Sequence, residues 1–222
     1  MAGNGLPDTD HSLTDLQARK QEYIFDLLFD ISHDRNLSRQ DFNKLQKLML
    51  AVKGLTGRCQ QSRSIQNRLA GIWSGLIKSS KNYRKNPLQL HLSVFEWLVY
   101  WSDVTKAAKT CGDWPTSSVS GEADYQWHHE FIDLMFEIFD TNNDNHIDEE
   151  EYCKCLIHFG VPETSCRKAF NTLSLETSKQ GINHQQFKDF WLEFILSDNV
   201  SDTGNYLFGD PFVPRSEDGA TT

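Results

Sequence analysis

One stretch of this sequence gathers oxygen donors at a spacing that a metal ion can use. Asp140, Asn142, Asp144, His146, Asp148 and Glu151 stand at positions 1, 3, 5, 7, 9 and 12 of the run Asp140–Glu151. Carboxylate and amide oxygens without thiolates suit a hard cation, and calcium takes six to eight oxygens at about 2.3–2.6 Å. Asp140, Asn142 and Asp144 supply side-chain oxygens. His146 offers its backbone carbonyl, so its imidazole stays clear of the ion. Asp148 acts directly or through water, and Glu151 closes the site with both oxygens. Position 6 is Asn145, where glycine is usual because the turn needs φ > 0. Asparagine tolerates that region best among the other residues, which predicts lowered affinity rather than loss. Ile147 at position 8 is expected to point inward and pair by a short β-bridge with a partner loop.

A second, weaker run is Asp30–Asp41. Asp30, Ser32, Asp34 and Asn36 precede a closing Asp41, one methylene shorter than glutamate. A one-oxygen closure suits the smaller, octahedral magnesium better than calcium. Arg35, at position 6, puts a cation near this site. Two further runs have lost their ligands. About 85–96 would place Lys85, Pro87 and Gln89 at the first three ligand positions, and about 175–186 places Leu175, Thr177, Lys179 and Gln186 at ligand positions. Both are read as metal-free partners that supply the bridge beside each ligand-bearing loop.

These runs need helices on either side, and the apolar spacing provides them. Ile24, Leu27, Leu28 and Ile31, and later Phe131, Leu134, Met135 and Ile138, fall at i, i+3, i+4 and i+7. Ser12 is expected to cap the first helix, Leu13–Phe29. Other helices are expected at Ile65–Ile77, His91–Lys109, Tyr125–Phe139, Glu149–Phe159, Glu163–Leu173 and Asn183–Ile195, and one begins near Phe42. The unit helix, polar loop, helix thus repeats, with no strand longer than a few residues. The fold class is all-α: two EF-hand pairs of helix–loop–helix units, some degenerate, packed into one compact unit around an aromatic core. The expected division is a flexible tail over 1–12, an N-terminal pair over 13–110 and a linker over 111–124. A C-terminal pair over 125–196 and an extension with a mobile tail over 197–222 complete it.

The 222 residues carry 22 Lys and Arg against 31 Asp and Glu, a formal charge of −9. That excludes general attraction to nucleic acid or anionic lipid. No apolar run reaches the roughly 20 residues of a transmembrane helix, and no secretion signal is visible. The five cysteines are odd in number and read as free thiols of a reducing compartment, so the cytoplasm is the expected location. Cys153 and Cys155 stand at i and i+2 on a helix, a poor zinc pair. The only methionines are Met1, Met49 and Met135, against fourteen Phe and six Trp. That favours a rigid, filled core over a flexible target groove. No hydrolase elbow, HExxH pair or phosphate-cradling glycine loop occurs, so no enzymatic activity is expected.

With four such repeats, the chain resembles the invertebrate sarcoplasmic calcium-binding proteins and the related calexcitins. The residues that carry this are Phe29-Asp30 with Asp41-Phe42, the aromatic run Phe95–Trp101, Phe190–Phe194, Ser197-Asp198 and Gly204–Gly209. The resemblance implies a compact, monomeric calcium-ion binder, acting as an intracellular sensor, modulator or low-capacity buffer through one strong loop. Two other readings accompany it. Coelenterazine-binding photoproteins share the architecture, and Trp73, Trp97, Trp101, Trp127, His128, His129 and Trp191 are the residues that would line such a cavity or fill it. The basic run Lys78, Lys81, Arg84 and Lys85, or the C-terminal tail, would serve a protein-interaction module with vestigial metal sites.

Overall fold

The computed structural model describes residues 13–56, 59–80, 90–111, 126–177 and 180–213. Helix α1 spans Asp15–Ile24. Thr14, rather than Ser12, caps it. The Thr14 hydroxyl accepts the Gln17 N–H, and the Gln17 side chain accepts the Thr14 N–H in return. The expected helix through Phe29 changes character at its end. Phe25–Phe29 is a π-turn, closed by a 2.7 Å bond from the Asp30 N–H to the Phe25 carbonyl. Strand β1 (Asn36–Ser38) follows the first loop and leads into α2 (Arg39–Val52). Helix α3 (Gln60–Ser79) begins earlier and ends later than the apolar spacing predicts.

His91–Ser93, expected as helix, forms strand β2 before α4 (Val94–Cys111). The C-terminal half repeats the plan with α5 (Trp127–Phe139), β3 (His146–Ile147) and α6 (Glu149–His158). Helix α7 (Glu163–Leu173), β4 (Ile182–Asn183) and α8 (His184–Leu196) complete it. Each half is closed by one short antiparallel pairing. Leu37 faces Leu92 and Ile147 faces Ile182, the inward residues at position 8 of each loop. The two helix–loop–helix pairs are therefore as the loop pattern required.

The halves share one core. The Phe29 ring meets Trp97 at 4.7 Å and Phe131 at 4.9 Å. Trp101 packs on Trp97, Trp127, His128 and Trp191 at centroid distances of 4.9–6.2 Å. Rings from the π-turn, α4, α5 and α8 thus contact one another directly, as aromatic pairs prefer. Trp73 stands apart, against Phe42, and His129 is only half-buried.

The extension after α8 packs against both halves; of the stretch expected to be mobile, Pro211 to Thr222, only the part through Val213 is described. The Phe208 ring is buried against Phe139, Phe187, Trp191 and Phe194. Tyr23 donates to the Phe208 carbonyl at 2.7 Å, Lys20 to the Ser197 carbonyl and Asn205 Oδ1 at 2.8 Å, and Arg19 to the Phe212 carbonyl at 3.1 Å. The extension is a strap that fastens α1 to the C-terminal half. Residues 1–12, all but the first of the linker 111–124, residues 214–222, and Lys81, Arg84 and Lys85 lie outside the described residues. No helix among the described residues is long and apolar enough to cross a membrane.

Candidate metal centre

The third loop, 140–151, hangs between the end of α5 and the first turn of α6. Its shape comes from main-chain N–H groups aimed at its own carboxylates. Asp140 Oδ1 accepts from the Asp144 N–H (3.1 Å) and Oδ2 from the Asn145 N–H (3.0 Å). Asn142 Oδ1 accepts from the Asp144 N–H at 2.8 Å, and Asp144 Oδ1 from the His146 N–H at 2.9 Å. Glu151 Oε1 receives the Asn142 N–H at 2.9 Å, bringing the last residue of the loop to its third. Asp148 caps α6, taking the Glu151 N–H at 2.8 Å while Glu151 Oε2 takes the Asp148 N–H at 3.2 Å. The His146 imidazole turns to the Asp144 carbonyl, outside the donor set. Asn143 and Asn145 both lie at positive φ, 61° and 67°, the backbone that asparagine tolerates.

Asp140 and Glu151, at the two ends of the loop, are buried, whereas Asn142, Asp144 and Asp148 are exposed. Among the described residues no three His, Cys, Asp or Glu side chains converge closely enough to form a ready cage. The donors are instead held one by one, with lone pairs left over on each carboxylate. Those oxygens suit calcium, which needs many oxygens and tolerates flexible geometry. The residues that would hold it are Asp140, Asn142, Asp144, Asp148, Glu151 and the His146 carbonyl.

The first loop, 30–41, is built alike, and its closing carboxylate holds four donors where Glu151 holds three, the Asn142 and Asp148 N–H groups and the Thr141 hydroxyl. Asp30 takes the Asp34 and Arg35 N–H groups at 3.2 and 2.8 Å. Asp34 takes the Asn36 N–H at 2.9 Å, and the Asn36 amide donates to the Asp34 carbonyl. Both oxygens of Asp41 are engaged twice. Oδ1 accepts the Ser32 N–H and hydroxyl (3.0 and 2.7 Å), and Oδ2 the Ser38 N–H and hydroxyl (2.9 and 2.7 Å). Burial pushes the Asp41 carboxyl up, but these four donors outweigh it and hold the group below the usual carboxylate range. Ser32, a would-be ligand, thus spends its proton on the closing carboxylate. Arg35 does not place its charge in the site. Its backbone sits at φ 65°, and its guanidinium turns out to Glu22 (3.6 Å) and Asp26 (3.3 Å).

The other two loops use their last residues as caps. Glu96 accepts the Ser93 N–H and hydroxyl, and Gln186 exchanges bonds with Asn183. Gly181 adjoins β4 at φ 105°. A Cβ there would fall 2.3 Å from the Ile147 carbonyl oxygen, so the close pairing with loop 3 depends on this glycine.

Three further features escaped the sequence reading. Lys53, just past α2, donates to the Asp140 carbonyl at 2.7 Å, the Glu137 carbonyl at 3.0 Å and Asn143 Oδ1 at 3.3 Å. Tyr152, directly after Glu151, is fully buried. Its hydroxyl donates to the Tyr206 carbonyl at 2.6 Å and accepts the Gly209 N–H at 3.0 Å. Third, Tyr100 and His128 are hydrogen-bonded inside the aromatic core, where burial and the neighbouring His129 hold the His128 imidazole well below its ordinary pKa. Burial raises the Cys153 and Cys155 thiols, Cys155 well above its usual value, and lifts Cys166 to about 12 with Cys153 beside it.

Two pairs of helix–loop–helix units around one aromatic core make up a fold of the four-EF-hand kind. Calexcitin-1 of Caenorhabditis elegans is 26% identical over 196 residues, spanning 86% of this chain and 85% of that protein. A sarcoplasmic calcium-binding protein from amphioxus superposes with a TM-score of 0.64 at 22% identity, over 88% of this chain and 97% of its own. A coelenterazine-binding protein from Renilla muelleri superposes at 0.57 with 15% identity, over 89% and 99% of the two chains. No family model matches. The chain is thus similar to calexcitin-1 and to an amphioxus sarcoplasmic calcium-binding protein along most of its length.

Proposed function

We propose that this protein is a non-enzymatic calcium binder that takes one ion in loop 140–151 and uses it as a sensor or modulator rather than as a store. The observation that carries this is the pair of buried carboxylates at the two ends of that loop, Asp140 and Glu151, each fixed by main-chain N–H groups and still able to accept a cation. The calcium-binding relatives support the same reading. Loop 30–41 is a weak site, better matched to magnesium, because Asp41 is short and already holds four donors. One strong loop per molecule buffers little calcium, so its use is a change in shape or stability. Glu151 opens α6, and the next residue grips the C-terminal strap, so a shift of Glu151 would pass to Tyr206 and Gly209. A cytoplasmic monomer is the form in which we expect it to act. The direct ring contacts of Trp101 with Trp97, Trp127, His128 and Trp191 argue for a packed core over a coelenterazine-type pocket.

Calorimetric calcium titration of the parent beside Glu151→Gln and Asp30→Ala tests this. The parent should show one strong site, lost in Glu151→Gln. Asp30→Ala should lose a weak site at most. Binding by Glu151→Gln equal to the parent's overturns the assignment.

A further inference from the structure

Loop 3 belongs to the C-terminal half, where Arg167 of α7 pairs with its Glu149 and Glu150 at 3.3 and 3.1 Å, but a second cation reaches it from the N-terminal half. Lys53 lies 84 to 90 residues away in sequence from its partners Glu137, Asp140 and Asn143. Its ammonium meets two main-chain carbonyls where α5 ends, the negative end of that helix, and one side-chain oxygen of the loop. It does not take a carboxylate oxygen of the donor set in any of these bonds. The carboxylates of Asp140 and Glu151 are nonetheless within its electrostatic reach. The loop carries Asp140, Asp144, Asp148 and Glu151, with Glu149 and Glu150 beside them. Without a metal ion these charges repel one another; Arg167 pairs with Glu149 and Glu150, and Lys53 is the positive charge set against the Asp140 end of the loop.

We infer that Lys53 is an affinity-setting residue of the loop-3 site: a tethered cation, supplied by the helix that leaves loop 1, that steadies the metal-free loop and opposes the incoming divalent ion. This rests on loop 3 being the calcium site. Two effects of opposite sign compete. As a cap on the α5 carbonyls, Lys53 shapes the loop, and losing it would weaken binding. As a charge, it favours the metal-free loop, and losing it would strengthen binding. The cap contacts are carbonyls and an amide on the outside of the loop, while the donors are already held by N–H groups of the loop itself. Charge therefore decides. A unit charge about two side-chain lengths from a divalent ion in a water-like dielectric changes affinity by roughly 3- to 10-fold. The contact also joins the loops mechanically: α2 begins at loop 1 with Asp41 in its first turn and ends against loop 3.

The test compares the parent with Lys53→Met, which keeps the stem, and Lys53→Arg, which keeps the charge. Calcium titrations are run at roughly 0.1 M and 1 M salt, where the screening length falls from about 10 Å to 3 Å. Melting with a chelator present is measured alongside. Lys53→Met should bind roughly 3- to 10-fold tighter at the lower salt, lose most of that gain at the higher, and melt at a lower temperature without metal. Lys53→Arg should follow the parent. A capping role alone predicts weaker binding by Lys53→Met. That result, unchanged affinity, a gain indifferent to salt, or an arginine variant that behaves like the methionine one would overturn the inference and leave the site assignment standing. A parent that takes up no calcium would overturn both.

Discussion

Replacing Tyr152 by phenylalanine removes a single oxygen from the centre of the molecule. That oxygen is fully buried and makes two hydrogen bonds to the C-terminal strap, to the Tyr206 carbonyl and from the Gly209 N–H. The phenylalanine ring fits the same space against Phe139 and Phe170, so little packing is lost. The damage is polar. One main-chain N–H and one carbonyl lose their partner, and each buried orphan costs about 1–3 kcal/mol. Some relief comes from water at the strap's outer edge, so the net expectation is a loss of about 2–4 kcal/mol. In a chain of this size each kcal/mol moves the melting point by roughly 2–4 °C, which predicts a fall of about 5–15 °C. Urea unfolding followed by circular dichroism gives the free energy, and an unchanged slope would show that the denatured state is not the cause. The strap should also become the first segment to exchange its amide protons. A loss below about 0.5 kcal/mol, with exchange at Gly209 unaltered, would refute the idea that this hydroxyl fastens the strap.

Lys20 gives a pH signature. Burial, only partly opposed by Asp202, Glu193 and Asp198, pushes its pKa down from 10.5 to about 8. The folded protein therefore releases this proton before the unfolded chain does, and the group's contribution to stability rises between about pH 8 and 10.5. Below that window the buried charge costs about 3 kcal/mol relative to the neutral amine. The difference in unfolding free energy between the parent and Lys20→Met should thus grow in the parent's favour across the window, and a flat difference would count against it. Gly181→Ala should cost at least about 1–2 kcal/mol, since the residue sits at φ 105° with its new Cβ against the Ile147 carbonyl. It should also weaken calcium binding in loop 3 by disturbing the β3–β4 pairing. A variant as stable as the parent would show that the pairing is looser than described.

The donor pattern was legible because metal chemistry restricts residue type at fixed spacing. The inward residues Leu37, Leu92, Ile147 and Ile182 followed from the same register and do face one another in pairs. What stayed hidden depends on distance or direction. The π-turn at Phe25–Phe29 reads as ordinary helix, because a single widened turn barely disturbs a 3.6-residue apolar spacing. Arg35 looked like a cation in the first site, yet Glu22 on α1 and Asp26 in the π-turn offer it partners on the outside of the loop. The segment Gly204–Gly209 stood out in the sequence, but its contacts did not: Leu207 and Phe208 are buried, and the strap's partners Tyr23 and Tyr152 lie far away along the chain. Lys53 carries no local signal at all: one lysine after a helix meets loop 140–151 only when the two halves come together.

Those long-range contacts bear on what a single ion can do. Binding to the folded state alone stabilises it by about 2.7 kcal/mol when the ion is present at about a hundred times its dissociation constant. In separate pairs of loops that gain would stay in the C-terminal half. Here the residue after Glu151 holds the strap, the strap holds Tyr23 and Lys20 of α1, and α1 runs through the π-turn to Asp30. On the other side Lys53 ties loop 3 to α2 and so to Asp41. Both helices that frame the first loop are thus linked to the third. Calcium in loop 3 would then be expected to slow amide exchange in loop 1 through the helices they share, even if the first loop takes no ion of its own.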